Sequence, residues 1–372
     1  MIESGDVAAG CLVCAGPLSL ALDLECKIAV TSDWRVVQDK VRIFHCTSCG
    51  TMQKIPSKSY LQRVEEIYKA YRMYELSEGH EQLKFEGGVP RTRSDIIIDN
   101  IGDHIPDGGD FLDIGTGSGV FLTAVKKRFG TRANLYAQDV SAVARGKLMS
   151  ALPIERFYVG NLTEIDQQFD VISMIHVLEH VPEPLRLLEQ VSRLLKNDGV
   201  LVVQVPDLEE TVFDTIIFDH VFHFSSRTVL ALLGRVFSVH GMPYRKINNE
   251  ITVLAGKSPG PLRNLRDAEP RSEKIDLSRV SKVASFLTHT SERMAVFGVA
   301  PTGTFCGAVL GEQLECFVDE DTSIQFKRHL GKLILPPDQV NTDLRVFLPT
   351  NRNSGTIRSR LDRLRFITEA DF

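Results

Sequence analysis

The spacing of apolar positions changes character along the chain. Up to about residue 55, short runs such as "IAVTSDW" and "VVQDKVRIFHC" read as strands. "SYLQRVEEIYKAYRMYELS" and "PRTRSDIIIDNIGDHI" then show helical spacing, which puts Tyr68, Tyr71 and Tyr74 on one helical stripe. Such a stripe usually packs. From residue 109, strands alternate with helices: "DFLDIG", "GVFLTAVKKRF", "ANLYAQD", "SAVARGKLMSAL", "FDVISMI", "PEPLRLLEQVSRLLK" and "GVLVVQVPD". That alternation calls for a parallel sheet with helices on both faces and ligands at the carboxyl ends of the strands. "SSRTVLALLGRVF" reads as a Ser-capped helix and "EITVLAG" as a further strand. "KSPGPLRNLRDAEPRS" reads as a linker, because Pro, Gly and Arg dominate it. A second α/β unit follows, with "RMAVFGVAPTG" as strand and Gly turn, "GTFCGAVLG" as helix, and "LECFVDED" and "LRVFLPTNRNSG" as strands. The expected fold class is α/β: a small N-terminal module (1–75), a central Rossmann-like domain (76–257) and a C-terminal Rossmann-like domain (271–372).

The N-terminal module carries Cys11 and Cys14 in "CLVC" and Cys46 and Cys49 in "CTSCG". Each two-residue gap lets a tight turn present both sulfurs to one ion, and Gly50 allows the left-handed backbone of such a knuckle. Four thiolates leave no open coordination position, so a structural zinc on a ribbon-like body is expected. The loop between the pairs is longer than is usual for such sites.

Composition changes little. The chain has 372 residues, 43% apolar and 24% charged, with a net charge of −5. No basic half stands out, which argues against nucleic acid as the main partner. No apolar run reaches the length of a bilayer span, and "MIESGDVAAG" lacks the features of a signal peptide. A cytoplasmic protein is expected, with its seven cysteines as thiols or metal ligands rather than disulfides.

"LDIGTGSGVF" is the strongest chemical signal. Gly115, Gly117 and Gly119 follow a strand and open a helix whose first N–H groups are unpaired. Asp113 just before them would repel a pyrophosphate but would accept a hydrogen bond from an ammonium group. That suits the amino-acid part of S-adenosylmethionine. Asp139, ending the next strand, is placed for two ribose hydroxyls, and Asn161 and Leu162 for the adenine. This order, followed by "FDVISMIHVLEHV", resembles class I S-adenosylmethionine-dependent methyltransferases over roughly residues 90–206.

"HVLEH" (176–180) also matches the H-x-x-E-H string of inverted zinc peptidases. It ends a buried strand, however, and His176 or Glu179 beside the methyl donor is the preferred reading. "FDTIIFDHVFHFSS" (213–226) sets His220 and His223 among bulky apolar residues. His220, with Asp219 beside it, is a candidate general base. The alternative is a core histidine bonded to a backbone carbonyl, and a metal held by His220 and His223 is a third reading.

The order of cysteine module, tyrosine helix, class I core and second Rossmann-like unit resembles the sugar C-methyltransferases that act on nucleotide-linked keto-deoxysugars. Phe213, Asp214, Thr215, His220, Phe224 and Ser225 match that family's segment. Asp219 replaces its glutamate, Ile217 and His223 replace two tyrosines, and "HVLEHV" stands for "NVLAHV". The resemblance implies that His220 removes a proton beside a ketone and that the enolate attacks the sulfonium methyl. Asp219 would tune it, and His223, Tyr71 or Tyr74 would bond substrate oxygens. Gly298 and Gly303 flank a turn that would meet the diphosphate of a nucleotide sugar, or serve only as a tight turn. An O- or N-methyltransferase of the same architecture is the alternative.

Overall fold

The computed structural model describes residues 10–71, 76, 81, 83–86, 89–243, 247–258, 265–266, 275–349 and 354–371. The central sheet is built from strands numbered here along the chain: β1 (Gly109–Ile114), β2 (Ala133–Asp139), β3 (Ile154–Val159), β4 (Phe169–Ile175), β5 (Leu195–Pro206), β6 (Ser238–Pro243) and β7 (Glu250–Gly256). Their spatial order is β3-β2-β1-β4-β5-β7-β6. The first five run parallel, and β7 enters antiparallel to both β5 and β6. The reversal of strand order between β1 and β4 creates the crevice in which such sheets bind ligands. Leu201, Val203 and Val205 alternate with Val202 and Gln204 on β5, and all are fully buried. A near-continuous apolar run is what a strand covered on both faces requires.

Sequence patterning missed β6, whose "SVHGMP" holds His240, Gly241 and Pro243 and carries little strand propensity. It forms because β7 and Leu265–Arg266 pair along its two edges. Leu265–Arg266 belongs to the stretch expected to be a plain linker, so part of that stretch is sheet edge.

The N-terminal module is a small antiparallel sheet of Leu18–Asp23, Arg42–Cys46 and Met52–Gln53, with Phe222–His223 as its fourth strand. A helix, Lys58–Lys69, follows, capped by Ser57. It ends before Tyr71, so the expected tyrosine stripe breaks: Tyr68 is in the last turn and Tyr71 lies beyond it, their ring centroids 5.6 Å apart. Tyr74 lies outside the described residues.

The C-terminal unit is a second parallel sheet. Met294–Phe297 is flanked by Leu314–Val318 on one side and Arg345–Phe347 on the other, with Lys332–Leu335 and Arg365–Ile367 outside them. Its helix Pro301–Leu310 packs near Ala29–Val30 and the 3-10 turn Val212–Ile216. One apolar core therefore runs through all three parts, from Val30 and Ile43 through Phe213 and Ile217 to Val296 and Phe305.

Candidate active site

The glycine loop after β1 is built for close approach. Gly115, Gly117 and Gly119 all have positive φ (69°, 49° and 76°), a region that side chains with a Cβ rarely adopt. A Cβ on Gly115 would lie 2.5 Å from Val177 Cγ2, and one on Gly119 would lie 2.0 Å from Leu148 Cδ1. Gly119 opens the helix Val120–Phe129. The register of β1 against β4 sets Asp113 opposite Ser173, and the Ser173 hydroxyl donates to Asp113 Oδ1 at 2.6 Å. Burial pushes the Asp113 carboxyl up to about 7, against that hydrogen bond. Asp139 accepts the Gly117 amide at 3.0 Å and the Ser141 amide at 2.9 Å, so the second acid is clamped to the loop. Two carboxylate oxygens can accept more than two hydrogen bonds, so capacity for hydroxyl donors remains. Gln138, which sequence reading passed over, bridges the loops: its amide nitrogen donates to Gly160 O at 2.6 Å. Asn161 precedes a short turn in which Leu162 is buried.

His176 leaves β4 with φ of 55°. Its Nδ1 lies 3.0 Å from Glu179 Oε1 and its Nε2 lies 2.9 Å from Glu250 Oε2. Burial lowers its pKa, but Glu250 and Glu179 outweigh burial and raise it to about 9. The "HVLEH" string is not a helix. Leu178–His180 is one 3-10 turn, and His176 and His180 face different partners.

The segment 208–225 wraps over the carboxyl end of β5, and its histidines converge on one carboxylate. His220 Nδ1 is 2.8 Å from Asp214 Oδ1, and His223 Nδ1 is 2.6 Å from Asp214 Oδ2. A carboxylate only accepts, so both Nδ1 atoms donate and Nε2 of each ring carries the lone pair. Burial works against the charge on Asp214, yet the two imidazoles hold its carboxyl well below the usual range. For His220, the charge of Asp214 outweighs burial and raises the pKa. For His223, burial wins and lowers it to about 4. His223 is 1% exposed, and its Nε2 has no hydrogen-bond partner.

These contacts revise the expected partner of His220: the carboxylate hydrogen-bonded to it is Asp214, six residues earlier, while the adjacent Asp219 adds only a charge that raises the His220 pKa. Asp219 instead accepts the Ser32 amide at 2.8 Å and the Ser32 hydroxyl at 2.5 Å. His223 stands behind Asp214 as its second donor. Ile217, where a tyrosine was expected by resemblance, is buried in the shared core.

Around them lie Tyr71, named from the sequence, and groups that the sequence does not single out as site residues. His180 Nδ1 is 3.0 Å from Asp219 O and 2.9 Å from Tyr68 OH, and its ring meets the His220 ring edge-on at 4.6 Å. Tyr71 OH sits 3.1 Å from Ser32 Oγ, which places this tyrosine in the same cluster. Lys54 is buried, its amine donating to the carbonyls of Ile217 and Phe218, and burial lowers its pKa to about 8. Nothing in the spacing of Ser32, Lys54 and His180 links them, because the fold alone brings them together.

In the N-terminal module, Cys11 Sγ is 3.7 Å from Cys49 Sγ and Cys14 Sγ is 3.5 Å from Cys46 Sγ. One ligand atom from each of the four lies within 4.8 Å of all the others. A tetrahedral zinc with Zn–S of about 2.3 Å separates its sulfurs by about 3.8 Å. The amides of Val13 and Cys49 point at Cys11 and Cys46 sulfurs at 3.4 and 3.5 Å, and Gly50 has φ of 80°, as a knuckle turn needs. The four cysteines therefore fit a tetrahedral thiophilic ion.

In the C-terminal unit, Gly298 has φ of 83° and open space where a Cβ would be. A Cβ on Gly303 would lie 2.0 Å from Gly298 O, so Gly303 is needed for the helix to pack against its own turn. That contact supplies a packing reason for Gly303 whether or not a ligand binds there.

Residues 89–242 match a family model described as a methyltransferase domain. Over 103 residues the chain is 32% identical to a ubiquinone biosynthesis O-methyltransferase of Actinobacillus pleuropneumoniae serotype 7 (strain AP76), covering 25% of this chain and 44% of that protein. Over 148 residues it is 24% identical to a phosphatidylethanolamine N-methyltransferase of Cereibacter sphaeroides, covering 38% of this chain and 68% of that protein. A SAM-dependent methyltransferase from Aquifex aeolicus aligns in structure with a TM-score of 0.38 and 20% identity, over 52% of this chain and 97% of that one. The chain thus spans less than half the length of the ubiquinone O-methyltransferase it matches, through its central sheet. It carries a class I S-adenosylmethionine-dependent methyltransferase domain.

Proposed function

We propose that the protein is an S-adenosylmethionine-dependent C-methyltransferase whose substrate is a nucleotide-linked keto-deoxysugar. The observation that carries this is the buried pairing of His220 with Asp214 at the carboxyl end of the methyltransferase sheet. Methyl transfer to a neutral amine needs mainly proximity, and a sugar hydroxyl, more acidic than a C–H beside a ketone, asks less of a base. Transfer to carbon next to a ketone needs a positioned base.

In this reading Asp113 holds the donor's ammonium, Asp139 its ribose, and the Asn161–Leu162 turn its adenine. Asp214 fixes the Nδ1–H tautomer of His220, so that Nε2 takes the proton from the carbon beside the substrate carbonyl. The carbon then attacks the sulfonium methyl, and S-adenosylhomocysteine leaves. Asp214 stabilises the imidazolium formed, and His223 holds the other carboxylate oxygen in place. Tyr71, through the Ser32 cluster, supports a hydrogen bond to a substrate oxygen. The turn at Gly298 is assigned to the diphosphate. Cys11, Cys14, Cys46 and Cys49 are assigned to a structural zinc, which would fix the module that pairs with Phe222–His223.

A second reading is an O- or N-methyltransferase on a sugar or related metabolite. It is favoured by Ile217 in place of a tyrosine and by relatives that methylate oxygen and nitrogen. Solvent deuterium separates the two. C-Methylation predicts wash-in at the carbon beside the ketone when S-adenosylhomocysteine replaces the donor, and loss of that wash-in in His220→Ala. Calorimetric binding of dTDP to the S-adenosylhomocysteine complex tests the substrate class.

A further inference from the structure

Glu179, His180 and His220 each present one ligand atom within 4.8 Å of the other two. None of them belongs to the cysteine site. The two imidazoles are already oriented as metal ligands usually are, with one ring nitrogen donating to an oxygen behind it. His220 Nδ1 donates to Asp214, and His180 Nδ1 donates to the carbonyl of Asp219. Nε2 is thereby left as the coordinating atom of both rings. The third member is a carboxylate held on one side only. Glu179 Oε1 meets His176, whereas Glu179 Oε2 is buried without a hydrogen-bond partner, on a side chain that is 0% exposed. A bare buried carboxylate oxygen is costly unless something positive meets it.

We propose that Glu179, His180 and His220 form a binding site for one divalent transition-metal cation. Two imidazoles and one carboxylate suit zinc, cobalt, nickel or ferrous iron, and exclude magnesium and calcium, which want all-oxygen shells. The remaining positions would be filled by water. The cation occupies the lone pair of His220 Nε2. If His220 is the base, as the proposed function has it, the ion therefore inhibits methyl transfer, and removing the ion restores activity. Only this consequence rests on the functional reading. The binding site itself does not.

The test uses the full chain with its cysteine site loaded with zinc, and Co2+ as the probe. One further equivalent of Co2+ is expected. It should show visible d–d bands without the near-ultraviolet thiolate charge-transfer band that would mark exchange at the cysteines. Glu179→Gln and His180→Ala should each weaken that equivalent by roughly 10–100-fold. Glu179→Gln is nearly isosteric and guards against loss of fold, which circular dichroism checks in both. Absence of the extra equivalent, or equal affinity in wild type and both variants, overturns the site. With a turned-over substrate in hand, Zn2+ should inhibit and a chelator should reverse it. Cobalt binding with undiminished turnover supports the site and removes His220 from the role of base.

Discussion

In its proposed role on the donor's ammonium, Asp113 makes donor binding depend on pH near neutrality, well above the range in which an ordinary surface carboxylate titrates. Its carboxyl is buried and sits at about 7, so near neutral pH much of it is protonated in the unliganded protein. An ammonium group hydrogen-bonds to the ionised form. Binding below pH 7 must therefore remove a proton first, at a cost of about 1.4 kcal/mol per pH unit. For a site at about 7, lowering the pH from about 7.5 to about 5.5 weakens binding roughly 25-fold, or ~1.9 kcal/mol. His176, held at about 9, stays charged across this window and contributes no slope. The assay is calorimetric titration with S-adenosylhomocysteine in buffers of matched ionic strength. Asp113→Asn should bind more weakly at pH 8 and lose the slope. A flat profile in the wild type, or an unchanged slope in Asp113→Asn, refutes the assignment of Asp113 to the ammonium. Linkage adds a sign for stability. The folded carboxyl holds its proton more tightly than the unfolded one does. The ligand-free protein therefore loses stability as pH rises from the ordinary carboxylate range through about 7, and the ligand offsets that loss.

Other outcomes follow from single contacts. Asp214→Asn leaves one acceptor oxygen for the two imidazoles of His220 and His223 and removes the charge, and should lower turnover by about 10²-fold or more while leaving S-adenosylhomocysteine affinity unchanged. Gly303→Ala places a methyl 2.0 Å from Gly298 O, and should cost about 1–3 kcal/mol, read as a lower melting temperature. Gly115→Ala combines a positive φ with a contact to Val177, and should impair donor binding beyond any change in melting temperature. Chelation of the cysteine site, or Cys46→Ser, should lower the melting temperature first, since four sulfur ligands leave no position for substrate.

The geometry of the glycine loop is legible in the sequence because its residues are local. Asp113, Gly115, Gly117 and Gly119 sit within one strand-to-helix turn, and Asp139 ends the next strand, so spacing alone brings them together. The cysteine knuckles were legible for the same reason. The cluster around His220 is only half legible: a histidine among phenylalanines stands out, but adjacency points to Asp219 where the structure pairs His220 with Asp214. In an irregular segment, neighbours in sequence point apart as often as together. A 3-10 turn over Val212–Ile216 directs Asp214 back toward both histidines, while Asp219 turns toward Ser32. His180, Ser32 and Lys54 come from three separate stretches, and no periodicity encodes their meeting. Strand β6 was missed because its pairing partners, rather than its own residues, make it a strand.

The segment 208–225 shows how tertiary structure places the His220–Asp214 pair. Its backbone is held at several points by different parts of the chain. Phe218 N donates to Val30 O at 2.6 Å, Val221 N donates to Glu179 O at 2.8 Å, and Lys54 N donates to Val221 O at 2.8 Å. Phe222–His223 pairs with Met52–Gln53, next to the strand that ends in Cys46. The Lys54 amine caps the carbonyls of Ile217 and Phe218. An irregular stretch buried this deeply must have its polar backbone satisfied, and the N-terminal module supplies much of that satisfaction. Loosening the module therefore frees the loop that carries Asp214 and His220, whereas the glycine loop after β1 is held by β2, β4, Val177 and Leu148. Removing the zinc proposed for the cysteines should accordingly lower turnover at temperatures where the chain is still folded, with S-adenosylhomocysteine affinity retained. Equal loss of both would mean that the module supports the whole sheet rather than the base.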